Sequence, residues 1–236
     1  MSIAENVSYI LENIHNAAIL AGKDPTSVTL CAATKMNSAE KVREAIAAGV
    51  TCCGENRVQE LTEKLAQNAY EGALVHFIGH LQTNKVKQVV GKVSLIQSVD
   101  SIRLLDAINK EAQKQGIIQD ILLELNLAGE ASKSGFSTDE VRLLLPEMGQ
   151  FPHIRVLGFM TIPPICHNSG ENDKFFQEMY NLSVDITAKK YDNVLVRFLS
   201  MGMSDDFEDA IRCGSNMVRI GTAIFGARDY GISSQK

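Results

Sequence analysis

Leu30-Cys31-Ala32-Ala33-Thr34-Lys35 is an apolar run of small residues ending on a single lysine, and a helical spacing (Val42, Ala45, Ile46) follows within a few residues. A short apolar run bounded by polar residues reads as a buried strand, and a strand feeding a helix is the opening unit of an α/β fold. Lys35 then stands at the carboxyl end of that strand, where α/β barrels and open α/β sheets assemble their ligand sites. Apolar walls would strip its solvation and lower its pKa, leaving a neutral amine able to attack a carbonyl carbon. The competing reading is a solvated loop lysine, and for a lysine taken alone that is the commoner case.

The same rhythm continues down the chain. Further strands are expected near residues 51–54, 75–78, 94–97, 121–126, 155–159, 194–199 and 217–220. Amphipathic helical patterns lie between them at 58–68, 83–90, 102–115, 139–148, 172–189 and 205–213. Eight strands, each followed by a helical pattern, in a chain of 236 residues is the size and order of a (β/α)8 TIM barrel. A doubly wound sheet would usually need fewer strands and is the weaker alternative. Ahead of the first strand, Ile3, Val7, Ile10, Ile14 and Ala17 repeat at helical intervals, and Gly22 stands where that helix should stop. Residues 1–22 are therefore expected to form an extra N-terminal helix, packed outside the barrel or across its floor. No linker or composition break interrupts residues 1–236, so one domain is expected.

Composition excludes several classes. A net charge of −5 with no basic cluster leaves no electrostatic footprint for nucleic acid. No apolar stretch is long enough to span a bilayer, and the N-terminus lacks the charged and apolar regions of a secretion signal. The five cysteines (Cys31, Cys52, Cys53, Cys166, Cys213) are an odd number. On a strand, Cys52 and Cys53 would point to opposite faces, which suits neither a mutual disulfide nor a metal site. All five read as reduced thiols of a cytoplasmic protein.

The polar residues collect at strand ends. Ser200-Met201-Gly202-Met203-Ser204 follows the seventh strand, with Asp205 and Asp206 expected in the first turn of the next helix; Arg219-Ile220-Gly221-Thr222 closes the eighth. Glycine admits close backbone approach and hydroxyls donate hydrogen bonds, and these two loops are the usual phosphate site of a TIM barrel. Arg219 would add a charge-assisted contact to a phosphate or to a ring nitrogen. Ordinary helix caps remain the alternative, and the two aspartates favour it, since carboxylates suit a helix start but oppose phosphate. Asn56, after Gly54-Glu55, is a candidate to bond a ligand hydroxyl or carbonyl, or else an N-cap. His76 and His80 are four apart but span a strand and a loop, so no metal site is expected from them. Lys133, in Ser132-Lys133-Ser134-Gly135, lies near the same rim.

Thr34-Lys35, Gly54-Glu55-Asn56 with Val58-Gln59-Glu60, His76-Phe77-Ile78-Gly79 with Leu81-Gln82 and Asn84-Lys85, Ser132-Lys133-Ser134-Gly135, Ser200-Met201-Gly202-Met203-Ser204-Asp205-Asp206 and Val218 through Gly226 run through nearly the whole chain in one order. In these stretches the sequence resembles the pyridoxal-phosphate homeostasis protein family, the proline synthase co-transcribed homologues. The resemblance implies a single barrel similar to the N-terminal domain of alanine racemase, the type III fold of pyridoxal 5′-phosphate (PLP) proteins. PLP would be covalently held as a Schiff base on Lys35. Its phosphate would lie against the loops carrying Ser200, Met201, Gly202, Arg219, Gly221 and Thr222. Family members are cofactor-handling proteins of vitamin B6 balance without established catalysis. Arg57 and Val75 stand where the family usually has aromatics, both beside the mouth rather than on the lysine or the phosphate turns.

The residues themselves favour a carrier over an enzyme. PLP racemases and decarboxylases need acid–base groups on defined faces of the cofactor, one of them in alanine racemase a tyrosine from a second domain. None of Tyr9, Tyr70, Tyr180, Tyr191 and Tyr230 falls at an expected strand end, and the chain ends at Lys236, soon after the eighth strand. The expectation is a monomer without catalytic residues that holds PLP on Lys35 and passes it to apo-enzymes, with Lys133 a candidate way-station. The alternatives are a Schiff-base aldolase or isomerase acting on a phosphorylated sugar, and a weak PLP-dependent amino-acid racemase.

Overall fold

The structure, a computed structural model, describes residues 1–130 and 133–226. Eight parallel strands close into a barrel in sequence order: β1 Thr29–Ala33, β2 Cys52–Glu55, β3 Leu74–Phe77, β4 Leu95–Val99, β5 Gln119–Leu125, β6 Ile154–Thr161, β7 Val194–Ser200 and β8 Met217–Ile220. The seam is made by β8 on β1, where Cys31 is register partner to Arg219. The helices are α1 Ile3–Leu20, α2 Ala39–Ala47, α3 Val58–Ala66, α4 Ile102–Gln115, α5 Thr138–Leu144, α6 Asp173–Thr187, α7 Phe207–Arg212 and a single turn, α8 Thr222–Phe225. This is the (β/α)8 TIM barrel expected from the strand count.

Strand alternation divides the core in two. Cys31, Cys52, Leu95, Leu122, Met160 and Met217 fill the barrel interior, while Ala32, Cys53, Ile96, Leu123 and Val218 face the helices. Cys52 and Cys53 do take opposite faces, and all five cysteines are free thiols.

The N-terminal helix is present and lies outside the barrel. Ser2 and Glu5 form a reciprocal capping box at its start, and Val7, Ile10 and Ile14 bury against α2, α7 and α8. Asn6 Nδ2 ties it to the Ile224 carbonyl at 2.9 Å.

Three helical expectations need correction. The 83–90 pattern forms a 3-10 helix, Thr83–Gln88, not an α-helix. No side chain caps its start, and Gly91 at φ +73° turns the chain three residues after it ends, so its six residues make only two 3-10 turns. The 139–148 pattern breaks after Leu144 into another 3-10 helix, Leu145–Gln150, because Pro146 has no N–H to continue the α ladder. Asp205 and Asp206 precede α7 rather than sitting in its first turn. Among the described residues no helix is long and apolar enough to cross a membrane.

Candidate active site: a lysine and two glycine turns at the barrel mouth

A cavity of about 420 Å³ opens at the carboxyl end of the barrel, across the β7–β8–β1 seam. It is lined by Ala33 and Lys35 after β1, Met203, Ser204 and Asp205 after β7, and Arg219, Gly221, Thr222 and Ala223 after β8. Lys35 thus meets Arg219 and both glycine-bearing turns in one space. Asp205 is exposed at the rim. Asp206 is buried and committed elsewhere: its carboxylate accepts the Met203 N–H at 2.7 Å and the Asn172 amide at 2.8 Å.

The backbone around Lys35 is held on both sides. The Thr34 N–H donates to the Gly54 carbonyl at 2.9 Å, the Thr34 carbonyl accepts from Lys64 Nζ at 2.8 Å, and Asn37 Nδ2 donates to the Lys35 carbonyl at 3.0 Å. The next residue, Met36, turns through φ +60°, and its N–H donates to Glu60 Oε2 at 2.6 Å. Behind this turn lies a buried charge network. Glu55 Oε2 accepts from Lys64 Nζ at 2.6 Å, Thr34 Oγ1 at 3.0 Å and Tyr70 Oη at 3.1 Å. With four donors on one carboxylate, Asn56 N–H on Oε1 included, the desolvation of Glu55 is offset and the turn carrying Lys35 is braced against β2 and α3.

Arg219 is the buried cation of the cavity. Its guanidinium donates to the Ser200 carbonyl at 2.7 Å, Ser200 Oγ at 2.6 Å and the Thr161 carbonyl at 2.7 Å. Burial draws it below the usual guanidinium range, against the opposing pull of Cys31, Glu124 and Asp206. Ser200 therefore acts as support rather than lining: its side chain turns into the barrel, where Oγ also donates to Gln97 Oε1 at 2.6 Å. Met201 is fully buried and its N–H is spent on the Met217 carbonyl, so it does not reach the cavity either. β7 runs one residue further than expected, which keeps Ser200 in the ladder and facing inward. Gly202 sits between, at φ +96°, and its carbonyl accepts the Arg219 N–H at 2.9 Å. A Cβ there would come within 2.9 Å of the Phe207 Cα, so only glycine lets this loop pass α7.

Asn56 lies in a second cavity of about 420 Å³ at the same end of the barrel, with Ile78, Gly79, Glu124, Asn126 and Lys133. Its Oδ1 is buried and has no hydrogen-bond partner among the described residues. Burial, with Asp100 adding to it, pushes the Glu124 carboxyl up to about 7 despite Arg219. Lys133 Nζ pairs with Glu130 at 2.6 Å on the cavity's edge. Ser132 lies outside the described residues.

The remaining candidates separate. His76 is buried inside the barrel, whereas His80 is exposed and paired with Asp100, so the two do not meet. Met203, Ser204 and Glu124 were missed as cavity residues, though Met203 and Ser204 belong to the turn already singled out. Glu124 carried a signal, an acidic residue inside an apolar strand pattern. Lys64 carried none, since a lysine within an amphipathic helix reads as a solvated face.

Residues 6–229 match the model of the alanine racemase N-terminal domain. The pyridoxal phosphate homeostasis protein of Aquifex aeolicus is 42% identical over 230 residues, covering 98% of this chain and all of that one. That of Pseudomonas aeruginosa is 38% identical over 98% of this chain and 97% of its own. PipY of Synechococcus elongatus, solved with PLP bound, is 31% identical and superposes with a TM-score of 0.78, covering 90% of this chain and all of that chain. On full-length identity of this order, the chain belongs to the pyridoxal phosphate homeostasis protein family, built on the alanine racemase N-terminal domain.

Proposed function

We propose that this protein binds PLP covalently, as a Schiff base on Lys35, and carries it to apo-enzymes without turning over a substrate of its own. The observation that carries the reading is the cavity in which Lys35 faces Arg219 and the Gly221-Thr222 turn, in a chain whose relative PipY was solved with PLP bound. The residues fit the group. An aldehyde needs a primary amine, an anionic phosphate needs hydroxyls and a backbone turn without Cβ bulk, and an aromatic ring nitrogen or phosphate is served by a buried guanidinium. Lys35, Thr222 with Ser204, Gly221 and Arg219 supply these in turn. When bound, PLP supplies an electron sink for amine chemistry. The chain's own residues bind and orient it: the Glu55–Lys64 network fixes the lysine turn, and Ser200 fixes Arg219.

Two features support carriage over catalysis. Among the described residues no tyrosine lines either mouth cavity; of the acids, Glu124 lies in the cavity lined by Asn56, and Asp205, which lines the one with Lys35, is exposed at its rim. The Asn56 cavity, with Lys133 at its edge, offers a route for outgoing cofactor.

The visible spectrum before and after borohydride, with Lys35→Ala alongside, tests the reading. A yellow protein whose reduced adduct maps to Lys35, and which reactivates a PLP-dependent apo-enzyme, is expected. A colourless protein that takes up no added PLP would reassign the phosphate turns to a sugar phosphate. Sustained keto-acid formation or racemisation from L-amino acids would overturn the carrier reading alone.

A further inference from the structure

Directly beneath the mouth the barrel interior holds a group the cofactor reading does not use. Cys31, Cys52 and His76 come from β1, β2 and β3, all three are buried, and their ligating atoms lie within 4.8 Å of one another. Cys52 Sγ is 3.3 Å from His76 Nδ1 and 3.7 Å from Nε2. Zinc bonds of about 2.3 Å to sulfur and 2.0–2.1 Å to nitrogen in a tetrahedron place those atoms roughly 3.6 Å apart, so this pair already stands at ligand spacing. The Gln97 amide reaches over the same group: Nε2 lies 2.8 Å from His76 Nδ1, 3.2 Å from Met217 Sδ and 4.0 Å from Cys31 Sγ.

We propose that Cys31 Sγ, Cys52 Sγ and His76 Nδ1 bind one Zn²⁺ ion inside the barrel, with the Gln97 side-chain oxygen as fourth ligand. Turning the Gln97 amide over puts Oε1 where Nε2 stands, releases His76 Nδ1 from its present hydrogen bond, and lets Nε2 donate to Ser200 Oγ. Two thiolates cancel the charge of the ion, so the loaded site is neutral, as a dry core requires. Binding replaces both S–H protons: two protons leave for each Zn²⁺ bound, His76 stays neutral, and nothing is oxidised. The set suits zinc over magnesium or calcium, which take oxygen ligands. It is also independent of whether Lys35 holds PLP.

The test is the metal content of protein purified without chelator, and Co²⁺ uptake by protein refolded with one equivalent, read in the red region where PLP does not absorb. One metal per chain, tetrahedral Co²⁺ bands with thiolate charge transfer, and two protons released by calorimetry in buffers of different ionisation enthalpy are expected. Cys52→Ala should weaken binding at least ~100-fold, more than the loss of a group behind the ligands causes, while borohydride labelling of Lys35 persists. X-ray absorption on the wild type, which needs no variant to fold, should find two sulfurs and one imidazole around the metal. Substoichiometric uptake, a shell of oxygen and nitrogen alone, or full metal content in a Cys31→Ala/Cys52→Ala double variant would overturn the site.

Discussion

Lys64→Met isolates what the buried charge network contributes. Methionine keeps most of the unbranched stem in its apolar sheath and deletes the ammonium alone, so packing is nearly conserved. Glu55, fully buried, loses its 2.6 Å partner, and the Thr34 carbonyl loses its 2.8 Å donor. Breaking a buried pair from one side costs about 3–5 kcal/mol. The two hydroxyls and the Asn56 N–H that remain on Glu55 place this case near the lower end, about 3 kcal/mol. For a chain of this size each kcal/mol moves Tm by about 2–4 °C, so the variant should melt roughly 6–12 °C below wild type. Calorimetry on PLP-free protein gives the value without stabilisation by ligand. PLP uptake should also slow, because the turn before Lys35 is no longer fixed. The double variant Glu55→Gln/Lys64→Met removes the stranded charge and should recover more than half of the loss. A single variant within about 2 °C of wild type would show that the network does not behave as a buried ion pair. A double variant no better than the single would show that geometry, not charge, sets the cost.

Two further outcomes follow from the mouth. A carboxyl raised to about 7 binds its proton more tightly folded than unfolded, so Glu124 contributes stability at low pH that is lost as pH climbs from its unfolded value toward 7; relative to Glu124→Gln, the wild type should lose roughly 2 kcal/mol between pH 5 and pH 8 in denaturant midpoints. A wild-type-minus-variant difference that does not change with pH would rule this out. A Cβ at Gly79 would lie 2.1 Å from the Asn56 carbonyl oxygen, backbone against backbone, so Gly79→Ala should cost about 3 kcal/mol and disturb the Asn56 cavity. Gly116→Ala, at φ +67° with nothing within 4 Å, should cost only about 1 kcal/mol, and equal losses at the two sites would contradict the close-approach argument.

The barrel was legible because each strand is a separate apolar run, and the cavity was legible where its residues end those runs. Lys35, Arg219, Gly221 and Thr222 stand at strand ends in the sequence and line the cavity in the structure. Ser200 and Met201 show the limit: in a strand one residue decides the face, and β7 reaching Ser200 turns its hydroxyl from ligand contact to support for Arg219. The 3-10 helices at Thr83–Gln88 and Leu145–Gln150 were hidden because their apolar spacing is also that of an α-helix.

The interior tier was not legible at all, for a different reason. Cys31, Cys52, His76 and Gln97 stand on four strands, and no spacing in the sequence relates them. What brings them together is register: Cys31 pairs with Cys52, and Gly54 with His76, so His76 stands two residues further along its strand than the residue opposite Cys52. Each residue alone reads as filler, a small thiol or a satisfied histidine, and only closure of the barrel converts four fillers into one polar group. That group is joined to the mouth through one chain of bonds, from His76 to Gln97, Ser200 and Arg219. The guanidinium that walls the Lys35 cavity is thus held in place by the residues that would surround the metal. A change in the Gln97 amide alters the donor or acceptor offered to Ser200, and Ser200 offers Arg219 its oxygen in either case. The two sites are therefore linked by orientation rather than by charge, and each can be occupied without unmaking the other.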